Sequence, residues 1–343
     1  MTAAAAGGVE RILEVGFAFW PSKVLLTAVE LGVFSVLGDK TMTGQELGTA
    51  VRLHPRGIWD FFDALVALGF LERDGVGPGA RYRSSPAAAQ YLDSRKPGYM
   101  GGILEMASAR LFRFWGDLDV ALKTGQPQNE LKHSGKPMFE TLYQDPARLE
   151  QFMNAMRGIS APNFTALAEK FDFSRYQTLC DVGGATGLLC TLVSRRYPHL
   201  QCVSFDLPAV EPIAQRWIAR EADARRVRAA SGDFLKEPLP KADVITMGMI
   251  LHDWNLEKKE HLVRLAYEAL PPGGAFIAIE NLIDDERRSN AFGLMMSLNM
   301  LIEFGDAFDF TGADFRGWCR EAGFRSHEVL HLLGPCSAAI AYK

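Results

Sequence analysis

At 343 residues the chain is too long for one ordinary hydrophobic core and predicts two or three domains. Its 48% hydrophobic and 23% charged residues give a globular composition and exclude an intrinsically disordered chain. A net charge of −4 excludes a general attraction to nucleic acid or to an anionic membrane. Apolar runs such as 24–29 and 242–251 fall far below the roughly 20 residues that span a bilayer. Residues 1–8 lack the basic lead and apolar segment of a signal peptide, so a cytoplasmic location is expected. The five cysteines (180, 190, 202, 319 and 336) form no CxxC pair and no metal-like spacing with histidine. Neither disulfides nor a metal is expected, and Cys180 and Cys202 lie in apolar runs that read as buried strands.

Residues 10–95 read as three helices and a hairpin. Apolar residues recur at helical spacing over 11–20 and 24–37, with Pro21 at the break between them. Thr43-Gly-Gln-Glu46 is a capping box, and a third helix over 56–68 stops at Gly69. A Gly/Pro-rich turn (74–80) between 70–73 and 81–83 completes the outline of a winged helix. That outline raises DNA binding, which the charges oppose. Residues 1–95 carry nine Lys/Arg and ten Asp/Glu, and the would-be recognition helix is apolar with two acids, Asp60 and Asp63. A helix that reads the major groove needs basic and amide side chains, so packing or dimerisation is the expected role.

Residues 97–170 read as helical and are rich in Met and aromatics (Met100, Met106, Phe112, Phe114, Trp115, Met138, Phe139, Phe152, Met153, Met156). These suit both a core and the adaptable wall of an apolar pocket, and the pattern does not separate the two.

From Tyr176 the pattern alternates. Strands are expected at 178–182, 201–205, 227–230, 242–249 and 275–280, with 327–332 and 338–342 closing the sheet. Helices are expected at 188–197, 211–222, 258–269 and 312–322. Apolar strands separated by helices of about ten residues predict a largely parallel, doubly wound α/β sheet. Domains are accordingly expected at 1–96, 97–170 and 171–343.

In such a sheet ligands lie outside the carboxyl ends of the strands. The loop Asp181-Val-Gly-Gly-Ala-Thr-Gly187 lies at that end of its first strand. Its spacing is not GxGxxG and it lacks a GK[ST] ending, which counts against a dinucleotide fingerprint and against a nucleoside triphosphate. Asp206, nineteen residues after Gly187, ends the second strand, where a carboxylate accepts both hydroxyls of a ribose. Asp233, after the third strand, could reach an adenine amino group. Ribose and adenine recognition without phosphate recognition describes S-adenosylmethionine, with NAD as the runner-up.

The ordered series Asp181-Val-Gly-Gly, Phe205-Asp-Leu-Pro208, Gly232-Asp-Phe234, Leu251-His-Asp-Trp254 and Glu268-Ala-Leu-Pro-Pro-Gly-Gly274 resembles that of the class I small-molecule O-methyltransferases. The resemblance covers nearly the whole chain. It implies a Rossmann-like methyltransferase sheet, an N-terminal winged-helix dimerisation domain, a homodimer and a small-molecule methyl acceptor. It also implies cofactor contacts at Asp181, Gly183, Asp206, Leu207, Gly232, Asp233, Phe234 and Trp254.

Methyl transfer to a hydroxyl needs in-line alignment, exclusion of water and removal of the acceptor's proton. A phenol ionises near pH 10, so a base with a pKa of about 6.5, histidine, suits the task. His252, just past the 242–249 strand in a His-Asp-Trp triplet, is the candidate. Glu280, at the end of the next strand, is expected to orient its imidazole, and Asp309 fills the position of the family's second acid. Phe152, Met156, Met300 and Asp253 match positions that meet the acceptor. Four positions depart from the family: Ala185 replaces a common third glycine, Gly248 a lysine of the plant members, Asp309 a longer second acid, and Phe310 a common arginine. These leave open methylation at sulfur, nitrogen or carbon. A winged-helix regulator with a cofactor-sensing domain is the alternative from another class.

Overall fold

A break in a helix goes where the backbone loses least, and that is not always at proline. In the computed structural model, which describes residues 8–343 apart from 97, 135–141, 144 and 222–224, the first helices are Val9–Gly16, Phe19–Glu30 and Val33–Leu37. The first break lies at Phe17–Ala18 and not at Pro21. Pro21 is the third residue of its helix, where the N–H it lacks would have no intrahelical acceptor. The expected 24–37 helix is two helices, parted at Gly32, which adopts φ 68°. Met138 and Phe139 lie outside the described residues.

Two compact units follow from the contacts, residues 1–113 and 114–343. In the first, Thr43 caps Gly44–Ala50 and accepts from the Glu46 amide, while Glu46 accepts from the Thr43 amide at 2.7 Å. The helix Pro55–Ala67 follows, then strands β2 (Leu71–Asp74) and β3 (Arg81–Ser84). With β1 (Met42–Thr43) they form an antiparallel sheet in the order β1-β3-β2. Ile58, Phe62 and Leu65 of that helix are buried beside Phe34 and Tyr82. Asp63, one of its two acids, accepts from Tyr82 Oη at 2.7 Å and pairs with Arg73. Ile58, Phe62 and Leu65 are thus the core face of 57–68, and its outer face exposes the acid Asp60. Val9, Ile12, Leu13, Val15, Phe17, Phe19 and Trp20 stay exposed, along a helical stretch (Val9–Glu30) long and apolar enough to cross a membrane by length and composition alone.

In the second unit the apolar runs are strands: β4 (Thr178–Val182), β5 (Gln201–Asp206), β6 (Val227–Ser231), β7 (Val244–Gly248), β8 (Ala275–Glu280), β9 (Ser326–His331) and β10 (Ser337–Tyr342). Their order is β6-β5-β4-β7-β8-β10-β9. β4 to β8 pair in parallel, and β10 runs antiparallel to both β8 and β9. The chain leaves β4 toward β5 and returns on the other side as β7, so the switch in strand order falls at β4. Parallel pairing brings Val182, Asp206, Gly248 and Glu280 to one edge of the sheet.

Both faces are covered. Ala166, Leu167, Phe171 and Phe173, from the long helix Pro146–Lys170 and its exit, pack on one face, and Leu262, Phe315 and Phe324 pack on the other. The helix Ala291–Phe304 was not expected. It is apolar almost all round, so it lacks the polar stripe by which an amphipathic helix is recognised. All five cysteines are buried free thiols.

Gly248 faces the long helix: a Cβ there would lie 2.9 Å from the Phe164 ring, with Ile279 beyond it. Phe164 thus fills the space that the lysine of plant members would need. Gly248→Lys should destabilise the fold by about 1–3 kcal/mol through overpacking. Thermal denaturation should show the midpoint lowered by roughly 2–10 °C; an unchanged midpoint would mean that this contact yields freely.

Candidate active site

The glycine loop begins where β4 stops. Gly183 adopts φ 70°, where a glycine is unstrained, and its N–H donates to the Phe205 carbonyl at 2.8 Å. A side chain at Gly183 would run into Ile250. Asp206 grips this loop. Its Oδ2 accepts from the Ala185 N–H at 2.9 Å and its Oδ1 from the Leu207 N–H at 2.7 Å. Each oxygen keeps a further lone pair, so the carboxylate assigned to a ribose also fixes the loop beside it. Burial pushes the Asp206 carboxyl up to about 6. Asp181 is 2% exposed, accepts from Thr246 Oγ1 at 2.7 Å and is pushed up by burial to about 7. It stands at the end of β4, directly before the loop, with one carboxylate oxygen on Thr246.

Gly232 donates to the Asp206 carbonyl at 2.9 Å, and a Cβ there would sit 2.5 Å from the Phe205 ring. Asp233 pairs with Lys236 at 2.7 Å and accepts from the Leu235 amide, and the ammonium holds its carboxyl below the usual range. Phe234 and Trp254 meet edge to face with centroids 6.3 Å apart, making an aromatic corner beyond β6 and β7. Trp254 Nε1 is buried with no hydrogen-bond partner among the described residues. A loop that bars side chains, a carboxylate at the end of β5 and an aromatic corner with a spare donor fit a nucleoside with a non-phosphate tail.

His252 lies on the short turn Leu251–Asp253 after β7 and is 5% exposed. Its Nε2 is 3.3 Å from Asp253 Oδ1 and its Nδ1 is 3.4 Å from Asp309 Oδ1. Glu280, the last residue of β8, accepts from the Leu251 and His252 amides at 3.0 and 3.4 Å. Asp309 thus stands at the imidazole, and Glu280 both holds the backbone that carries it and has an oxygen within 4.8 Å of a ring nitrogen. Asp309 is delivered by its neighbours, since the Phe310 carbonyl accepts from Ile283 N–H at 3.0 Å and the Asp309 N–H donates to Ser297 Oγ.

Burial works against charge on His252, yet Glu280, Asp253 and Asp309 together raise it to about 10. Burial pushes Glu280 up to about 7 and Asp253 to about 6. Groups this close share protons, and the titration belongs to the set. Sequence reasoning missed Lys259. It is fully buried in the helix Leu256–Ala269, its Nζ donates to the Trp254 carbonyl, and burial lowers it to about 8 against the pull of the nearby acids. This ammonium brings a positive charge to the set that elsewhere a metal would bring, so His252, Glu280 and Asp309 read as a proton-sharing group.

Of the residues expected to meet an acceptor, Phe152 and Met156 are half-buried, whereas Met300 is buried. Met153 belongs to a small core with Leu149, Val210 and Ile213. Phe310 fills core against Phe315 and Trp318. Asn299, which accepts from Trp115 Nε1 at 2.9 Å, adds a polar group beside Met300 that the sequence did not single out. Of the four non-glycine residues at positive φ among the described residues, Ala185 (46°) and Met249 (56°) lie just past β4 and β7, so backbone strain gathers at this edge.

Residues 115–325 match the O-methyltransferase domain and residues 13–94 the O-methyltransferase dimerisation domain. The tetracenomycin polyketide synthesis 8-O-methyl transferase TcmO of Streptomyces glaucescens is 40% identical over 336 residues, 98% of this chain and 97% of that one. The N,N-dimethyltransferase OxyT of Streptomyces rimosus is 36% identical, over 94% of this chain and 93% of its own. The crystal structure of human N-acetylserotonin methyltransferase in complex with S-adenosylmethionine superposes with a TM-score of 0.90 at 28% identity, covering 100% of this chain and 99% of that one. This chain belongs to the S-adenosylmethionine-dependent O-methyltransferase family.

Proposed function

We propose that His252 is the general base with which this enzyme takes the proton from a phenolic hydroxyl, and that the acceptor is a fused aromatic, polyketide-type molecule. The observation that carries the base is the buried imidazole with an acid at each ring nitrogen. The acceptor class rests on the likeness to the tetracenomycin enzyme.

S-Adenosylmethionine, when bound, supplies a sulfonium methyl that is electrophilic without further activation. Gly183, Leu207 and Gly232 would hold it through the backbone, Asp206 through its free lone pairs, and Phe234 and Trp254 through their rings. Asp233 stands near with one carboxylate oxygen on Lys236. The chemistry left to the chain is proton transfer and alignment. Asp309 at Nδ1 fixes the tautomer and stabilises the imidazolium, as a base–orienter pair does. Asp253 at Nε2 marks the side from which the acceptor's proton is taken. Phe152, Met156 and Met300 would give the apolar wall. The exposed Val9, Ile12, Phe17 and Trp20 overlap or adjoin the dimerisation match, and a cytoplasmic homodimer that covers them is part of this reading.

The likeness to OxyT favours one second reading, an amine acceptor. An amine needs less help from a base, which makes the two readings separable.

His252→Ala should lower kcat on phenols about 10²–10⁴-fold. Calorimetry should show its affinity for S-adenosylhomocysteine unchanged; retained turnover of phenols would sink the base assignment, and retained turnover of amines alone would select the second reading. Asp206→Asn loses a charged acceptor on the loop and should weaken S-adenosylhomocysteine binding about ten- to a hundredfold; calorimetry giving the original affinity would remove Asp206 from the cofactor site. The pH dependence has a defined sign. The acids raise the proton affinity of His252, so neutral imidazole accumulates only as pH rises toward about 10. Asp309→Asn removes one acid and should move the acid limb of kcat/KM to lower pH; a limb that stays or moves upward would contradict the arrangement.

A further inference from the structure

In Glu257-Lys-Lys-Glu260 a run of charge reads as a solvated helix face, but its two lysines have opposite fates. Lys258 is exposed and lies 4.6 Å from the Trp254 ring centroid. Lys259 is fully buried, with Nζ 3.7 Å from the Phe308 ring centroid and donating to the Trp254 carbonyl. It faces Glu280 from β8, Asp253 from the turn after β7, and Asp309 and Asp306 from the segment before Gly312–Ala322. Asp306 is already held by Asn255 Nδ2 at 2.8 Å. The remaining three are the acids that surround His252. An apolar residue would fill this space beside Leu262 and Val263 without the desolvation that a buried ammonium costs. What distinguishes lysine here is its charge.

We propose that Lys259 is a positioning residue of the methyl transfer: its charge favours the ionised form of Asp253 and Glu280 beside His252, and its hydrogen bond to the Trp254 carbonyl holds the turn that carries His252. The proposal rests on His252 being the base. The charge acts through the acids and reaches neither acceptor nor cofactor directly. Below pH about 8 Lys259 keeps its proton, so the charge is present at neutral pH.

The test is a carbon-13 NMR titration of the Asp253 side-chain carboxyl in the full-length enzyme loaded with S-adenosylhomocysteine, the signal assigned by its loss in Asp253→Asn. Lys259→Met and Lys259→Gln should raise the Asp253 midpoint by about one pH unit, whereas Lys259→Arg should leave it in place. Gln retains a donor for the Trp254 carbonyl and serves where Met fails to fold. In the unsubstituted Lys259 background, Asp309→Asn should lower the titration midpoint read at Lys259 Cε. An Asp253 midpoint unmoved by Met and Gln, equal movement in all three variants, or a Lys259 midpoint indifferent to Asp309→Asn would each overturn the proposal. Such a failure is distinct from failure of the base assignment, which is read from the activity of His252→Ala.

Discussion

A histidine, three carboxyls and an ammonium group share the space outside the carboxyl ends of β7 and β8, and each would cost several kcal/mol if buried alone. The surrounding chain is arranged to keep them together. β8 must end on Glu280 so that its carboxylate can take the two amides of the turn after β7. The segment after β8 bridges to Thr311, which sets Asp309 at Nδ1. The helix Leu256–Ala269 must start directly after Trp254 for Lys259 to reach back to that carbonyl. Each requirement fixes a different element, and all meet at one edge because β4 to β8 are parallel.

On the cofactor side the same edge uses a different device. Asp206 spends one lone pair of each oxygen on its own loop, so the loop is shaped before a ligand arrives. Preorganisation of this kind reduces the ordering that binding would otherwise require. Ala185 and Met249 hold left-handed backbone within this frame, a cost that only a surrounding fixed on all sides sustains. The departures from the family sort by side. Ala185 touches the cofactor loop, Gly248 is absorbed by Phe164 on the opposite face of the sheet, and Phe310 is drawn into the core. The acceptor side thereby keeps Asp309 but loses the polar group that an arginine at 310 would add.

Most of the sheet was legible because buried parallel strands are continuous apolar runs. β4 and β8 lie where the runs place them, and His252 and Glu280 follow from their position at strand ends. Four features were not legible, each for a physical reason. The helix Ala291–Phe304 has no polar stripe to betray its period. The first helices break at Phe17–Ala18, because proline in a first turn sacrifices no hydrogen bond, and at Gly32, which adopts φ 68°. Lys259 hides among charged neighbours, although helical spacing sets it on the face of Leu262, Val263 and Ala266, all buried. That Glu280 also takes two amides of the turn after β7 depends on loop geometry that no spacing rule encodes.

The central claim is that the His252 set removes the acceptor's proton, and its most direct test is how the defect of His252→Ala depends on the acidity of the phenol. The ratio of kcat/KM between the original enzyme and this variant should be measured over a series of hydroxylated aromatics whose pKa runs from about 7 to about 10. The account predicts a large ratio for the least acidic phenols that shrinks toward one for those already ionised at the assay pH. A ratio that stays the same across the series would contradict it, because the histidine would then be serving alignment or folding and not proton transfer.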